Sequence, residues 1–193
     1  MIIEDYELCR IYRCPARRVN KIYHSTDRNI QNSLDTVEEI VVHHTDGGGS
    51  WQGLKSWYKN PGAEKKELFS KHIGFTHFYI ERGGDVYKAF PLTRWMHHSC
   101  SGAYDRKTIG IELFHKTGPF TGMQYESLAR VIEDTLQHCS NIHRITGHDY
   151  NYMKYAGRAK GCPSSDFDWR RLQADLVRKD LFFTFKFDLE DAA

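Results

Sequence analysis

The feature that most constrains this chain is the run Ile40-Val41-Val42, which passes straight into His43-His44-Thr45-Asp46 and stops at Gly47-Gly48-Gly49. Side chains branched at Cβ favour extended backbone, and an unbroken apolar run of this kind suits a strand covered on both faces. The glycines then end it. A buried strand that delivers histidines at its exit puts chemistry where a rigid scaffold meets a loop. Strand alternation sends His43 and His44 to opposite faces, so one of the pair, not both, can serve a given site.

The rest of the chain interleaves helix and strand signals. Ser50 caps a predicted helix over 51–59, closed before Pro61, and a second helix is expected over 64–70. Residues 75–80 and 86–89 predict a hairpin turning at Gly83-Gly84-Asp85. Residues 108–114 read as an apolar strand interrupted by one carboxylate, Glu112. Tyr125, Leu128, Ala129, Ile132 and Leu136 recur mostly at three- and four-residue steps and predict the longest helix, over about 121–138. Arg144-Ile145-Thr146-Gly147 leads into His148 and an expected tyrosine-rich loop, and a last helix is expected over 167–177, with Trp169, Leu172 and Leu176 turned inward. Trp51 and Trp57 are expected to serve the core. This alternation predicts an α/β fold, a sheet covered by helices. Residues 1–36 show no sustained period and are set apart as an N-terminal extension from a domain spanning 37–193.

Bulk properties exclude several function classes. A length of 193 residues with 40% hydrophobic content suits one ordinary domain. The 27 Lys and Arg nearly balance the 25 Asp and Glu, for a net charge of +2, so nothing supplies the concentrated basic surface of a nucleic-acid binder. Five cysteines in a chain this long do not make a disulfide scaffold; Cys9 and Cys14 are near enough to pair, but free thiols are the expectation. No stretch has the length of an integral membrane segment, and the first residues lack the basic start and apolar run of a secretory signal. The chain is expected to be made in the cytoplasm and to act as a monomer.

Catalytic zinc takes three protein ligands and leaves a fourth position to water. His43 at a strand exit, His148 after Thr146-Gly147, and Cys162 in Gly161-Cys162-Pro163 meet that need. Imidazole nitrogen and thiolate both suit the ion. On spacing alone His43 and Cys162 read more readily as structural residues. His44 competes with His43, and Cys100, His138 and Cys139 compete more weakly.

Taken together, the segments 40–45, 74–80, 108–113 and 146–168 resemble the type 2 N-acetylmuramoyl-L-alanine amidase family, which includes phage lysozyme-like amidases, bacterial recycling amidases, whose glutamate Glu112 resembles, and the peptidoglycan recognition proteins. Lys160-Gly161-Cys162-Pro163-Ser164 with Phe167-Asp168-Trp169 carries the most specific part of the likeness. The resemblance implies a central mixed β-sheet flanked by helices and one Zn2+ per chain on His43, His148 and Cys162. It further implies hydrolysis of the amide between N-acetylmuramic acid and L-alanine in peptidoglycan or a muropeptide. Glu112 is the implied general base and Lys160 the group facing the developing oxyanion. A family tyrosine on the 75–78 strand is replaced here by Thr76, which makes Glu112 the better candidate for the base. His97, Trp95, Thr76 and Tyr150 are the candidate substrate contacts, and the segment 151–159, which carries Tyr152, Met153 and Tyr155, reads equally as part of the groove's rim or as a solvent-facing loop. The absence of a signal fits a phage-type endolysin that reaches the wall through a holin or other export route. It fits a recycling amidase acting on soluble muropeptides nearly as well, and a non-catalytic recognition module is the remaining alternative.

Overall fold

The computed structural model describes residues 1–5, 34–47, 49–59, 75–99 and 101–186. The helix expected over 64–70, the side chain of Trp57, and Cys9, Cys14 and Cys100 lie outside the described residues.

Seven strands form one mixed sheet in the order β1-β4-β3-β5-β2-β6-β7. They are β1 (Ile2–Glu4), β2 (Glu39–Asp46), β3 (Phe78–Ile80), β4 (Val86–Lys88), β5 (Thr108–His115), β6 (Arg144–Gly147) and β7 (Thr184–Lys186). β3 and β4 make the antiparallel hairpin foreseen around Gly84, and β3, β5, β2 and β6 run parallel. Parallel strands end on the same edge, and in open α/β sheets that carboxyl edge is where sites form. His43, Glu112 and Gly147 all fall near it.

The helices are α1 (Trp51–Lys59), α2 (Gly102–Asp105), α3 (Gly122–Leu136), α4 (His148–Ala156) and α5 (Trp169–Val177). Ser50 Oγ accepts from Gly53 N at 3.1 Å and so caps α1. A reciprocal capping box closes the start of α3, where Thr121 and Gln124 satisfy each other's backbone N–H groups. Asp168 accepts from Arg171 N at the start of α5. Among the described residues no helix is long and apolar enough to cross a membrane.

The two faces of the sheet differ in kind. Ile40, Val42, Ile109, Ile111, Leu113 and Ile145 point to one face and pack against Tyr125, Leu128, Ala129 and Ile132 of α3 and Leu172 and Leu176 of α5. Leu128 is fully buried there, and truncating it to alanine would cost about 2–5 kcal/mol. The opposite face carries Glu39, Val41, His43, Thr108, Gly110, Glu112 and Thr146. It is polar and contains the candidate site. A smaller apolar cluster of Trp51, Phe75, Tyr79, Phe90, Met96 and Phe114 supports the hairpin end.

The departures from the expectations are local, and they include the short helix α2 and the edge strand β7, neither of which carried a sequence signal. Residues 148–156, expected as a tyrosine-rich loop, form helix α4, which ends on left-handed Gly157. The strand expected over 75–80 is regular over 78–80 alone. Ile2–Glu4, within the expected N-terminal extension, supplies an edge strand paired with Val86–Lys88. Asp5 follows it and accepts from both Trp51 Nε1 and Lys55 Nζ at 2.7 Å, tying the chain start to α1.

Candidate active site

His43 leaves β2 on the polar face. In parallel register its neighbour is Glu112 of β5, so the imidazole and the carboxylate stand side by side on one face. His148 arrives from β6 as the first residue of α4, and its ring centroid lies 4.4 Å from that of His43. Cys162 comes from the loop after α4. Gly161 before it holds a φ of 72°, a left-handed conformation that glycine accepts without strain. That turn brings Cys162 Sγ to 3.9 Å from His43 Nδ1. The sulfur also receives His44 N–H at 3.4 Å. One donor atom from each of His43, His148 and Cys162 lies within 4.8 Å of the other two, and all three residues are buried.

Burial sets the protonation of this cluster. Desolvation holds His43 well below the ordinary imidazole range and takes His148 down to about 3, with Lys160 and neighbouring histidines adding to the effect. Both rings are therefore neutral and keep a lone pair free for a cation. Burial pushes the Cys162 thiol up, and the Glu112 carboxylate beside it adds to the rise. Only a cation at that point would reverse the cost of a thiolate there. Glu112 is raised to about 7 by desolvation, against the opposing pull of Lys160. A carboxyl group that titrates near neutrality is suited to both taking and giving a proton.

Lys160 lies on the exposed side of the same loop. Its backbone N–H donates to Asp149 Oδ1 at 2.5 Å, and its Nζ sits 5.5 Å from the Tyr152 ring centroid.

The four candidate substrate contacts fall in different places. His97 keeps a third of its side chain exposed and binds Asp105 through Nδ1 at 2.7 Å. That hydrogen bond raises the His97 pKa. Trp95 and Thr76 are only 3% and 1% exposed, too enclosed to present a surface to a polymer. Tyr150 lines a cleft of about 620 Å³ on the opposite side of the sheet, together with His44, His115, Asp149, Asp166 and Trp169. The sequence reading passed over His98, whose Nδ1 lies 3.0 Å from His43 Nε2. No spacing signal links a strand residue to a loop residue 55 positions away in this way. The sequence reading had named Tyr152 and Tyr155 only within a rim segment; α4 places them beside His148 and Tyr104 respectively.

Solved structures share this architecture. The N-acetylmuramoyl-L-alanine amidase LysC from Clostridium intestinale URNW superposes with a TM-score of 0.61 at 20% identity, over 92% of this chain and 97% of its own. The Ph2119 endolysin from Thermus scotoductus MAT2119 bacteriophage Ph2119 does so with a TM-score of 0.57 at 18% identity, over 91% and 99%. The ectodomain complex of peptidoglycan recognition proteins LCa and LCx bound to tracheal cytotoxin gives 0.58 at 18%, over 86% and 92%. These identities speak for the fold alone. No curated protein sequence matches the chain. The profile described as N-acetylmuramoyl-L-alanine amidase matches residues 33–165, well over half of the sequence and the whole stretch from β2 to the Cys162 loop. The chain belongs to the N-acetylmuramoyl-L-alanine amidase family and is an amidase of peptidoglycan.

Proposed function

We propose that this enzyme cleaves the bond between N-acetylmuramic acid and L-alanine with one zinc ion on His43, His148 and Cys162, and that it acts on intact wall as a phage-type endolysin. The observation that carries the reading is the convergence of two neutral imidazoles and a buried thiol beside a carboxyl group titrating at about 7. The donor set suits zinc. His43, His148 and Cys162 would hold the ion, with one donor atom of each within 4.8 Å of the other two, in a nitrogen and sulfur set that zinc accepts.

Zinc held there would supply Lewis acidity toward the scissile carbonyl and make a water molecule acidic enough to attack near neutral pH. Glu112 accepts that water's proton at its carboxylate and returns it to the departing amide nitrogen, which leaves as an amine. Lys160 reaches in from the exposed loop to face the oxyanion as it develops. His97, whose side chain stays a third exposed and is oriented by Asp105, is the candidate substrate contact best placed to meet a ligand. Trp95 and Thr76 shape the wall behind it.

As the resemblance implies, a cysteine at the third ligand position is the pattern of the phage amidases and recognition proteins, and this favours lysis over recycling. Digestion of intact sacculi and of soluble muropeptides, with the cleaved bond identified by mass, tests the proposal. Release of stem peptides beginning with L-alanine from sacculi is expected. Turnover of soluble fragments alone would overturn the endolysin role, and undiminished turnover after metal removal would overturn the zinc.

A further inference from the structure

On the polar face, Thr108, Gly110 and Glu112 alternate along β5, and the His98 ring lies over Gly110. A Cβ on Gly110 would stand 3.0 Å from Cγ and Nδ1 of His98 and 2.9 Å from Cγ2 of Thr76, so glycine there makes room for the ring. The backbone beneath His98 is pinned. Fully buried Asp105 accepts at Oδ1 from His98 N at 3.1 Å, Ser99 N at 2.8 Å and Ser99 Oγ at 2.6 Å. Phe75 N donates to His97 O at 3.0 Å. The ring then bridges His43 Nε2 at 3.0 Å and Thr108 Oγ1 at 3.1 Å, and Thr108 Oγ1 in turn donates to Asp105 O at 3.4 Å.

We propose that His98 is a positioning residue for the metal site, an acceptor that fixes the tautomer and ring plane of His43. The inference rests on the reading of His43 as a ligand. His43 presents Nδ1 to Cys162, so a ligating His43 must carry its proton on Nε2. Among the described residues that proton meets His98 Nδ1. His98 must then be protonated on Nε2 and donate to Thr108, whose hydrogen goes to the Asp105 carbonyl. Each donor in the chain meets an acceptor in this direction and in no other compatible with a ligand at Nδ1. A hydrogen bond to the far nitrogen of a ligating histidine orients the ring and raises its basicity, and its loss typically weakens metal binding 10- to 100-fold.

Zinc affinity, measured by competition with a chromogenic chelator, tests this in the full chain. H98F fills the space without an acceptor and is expected to bind zinc roughly 10- to 100-fold more weakly. H98N places an amide oxygen near the Nδ1 position and is expected to restore affinity to within about threefold. Tight binding by folded H98F, or equal loss in H98N, would overturn the role. A tautomer measurement on the zinc-loaded wild-type chain by long-range 1H–15N correlation stands apart from both variants. His98 protonated at Nε2 is expected, and protonation at Nδ1 would overturn the proposal even if neither variant folds. A wild-type chain that binds no zinc would overturn the ligand reading and this inference together, whereas zinc binding unaffected by H98F would overturn this one alone.

Discussion

His43 and His44 are adjacent, identical in chemistry and opposite in environment. His43 turns to the polar face and meets His98, His148 and Cys162 within a buried cluster. His44 turns to the other face, where its ring packs edge-on against His115 at 5.4 Å and borders the 620 Å³ cleft. The pleat alone separates them. What the difference teaches is that a ligand is made by what converges on a side chain. His44 has the same imidazole at nearly the same height, but it faces aromatic and polar groups of the opposite cleft instead of a second and third donor.

The sharpest way to break the comparison is to remove each ring in turn. His43→Ala is expected to strip the zinc and reduce turnover to background, since Lewis-acid stabilisation is worth several kcal/mol, or about 10³-fold and more. His44→Ala should retain stoichiometric metal and lose less than about threefold in kcat/KM, as expected for a side chain outside the reacting set. Equal losses, read by metal analysis and peptide release, would erase the distinction.

Next in size is the carboxylate that shares the His43 face. Glu112→Gln should keep the metal and lower kcat on the order of 10²–10⁴-fold. The base must be ionised to act, and burial raises it to about 7. Wild-type activity should therefore climb as pH rises through about 7 and fall below it, where the group is protonated. The glutamine variant should lose that acidic limb, and a limb that survives would assign it to another group.

Lys160→Met is expected to cost roughly ten- to a hundredfold in kcat with little change in metal content, below the 10²–10³ of a rigid oxyanion donor because the side chain is exposed. The smallest effect is on the loop that serves both faces. It carries Cys162 to one side and Pro163 and Ser164 to the other. Gly161→Ala asks a Cβ to adopt a φ of 72°, which should lower stability by about 1–2 kcal/mol. Thermal unfolding of the metal-free chain would read it, and an unchanged midpoint would show that the loop relaxes at no cost.

Much of the frame was legible in the residues. The β2 run, the apolar stripe of α3 and the Ser50 cap each carry a local physical signal, and the elements sit within a few residues of where those signals place them. Helix α4 escaped because it begins straight from β6 on Gly147 with no side-chain cap, and its tyrosines make no clear apolar stripe. The edge strands β1 and β7 are three residues long and exist through pairing with β4 and β6, which leaves no local pattern to find. His98 escaped because it lies 55 residues from His43 along the chain, in a loop with no regular period.

By itself the sequence determined which segments are buried, that two adjacent histidines turn to opposite faces, and which residue types stand at the strand exits; the register that sets His43 beside Glu112 came with the fold. Hydrophobic periodicity and backbone preference are local, so they survive in one dimension. Only the tertiary structure decided that His148 and Cys162 close on His43, that Glu112 titrates near neutrality, and that His98 holds the far side of the ring. Those outcomes depend on desolvation and on partners from distant segments, and neither exists until the chain has folded.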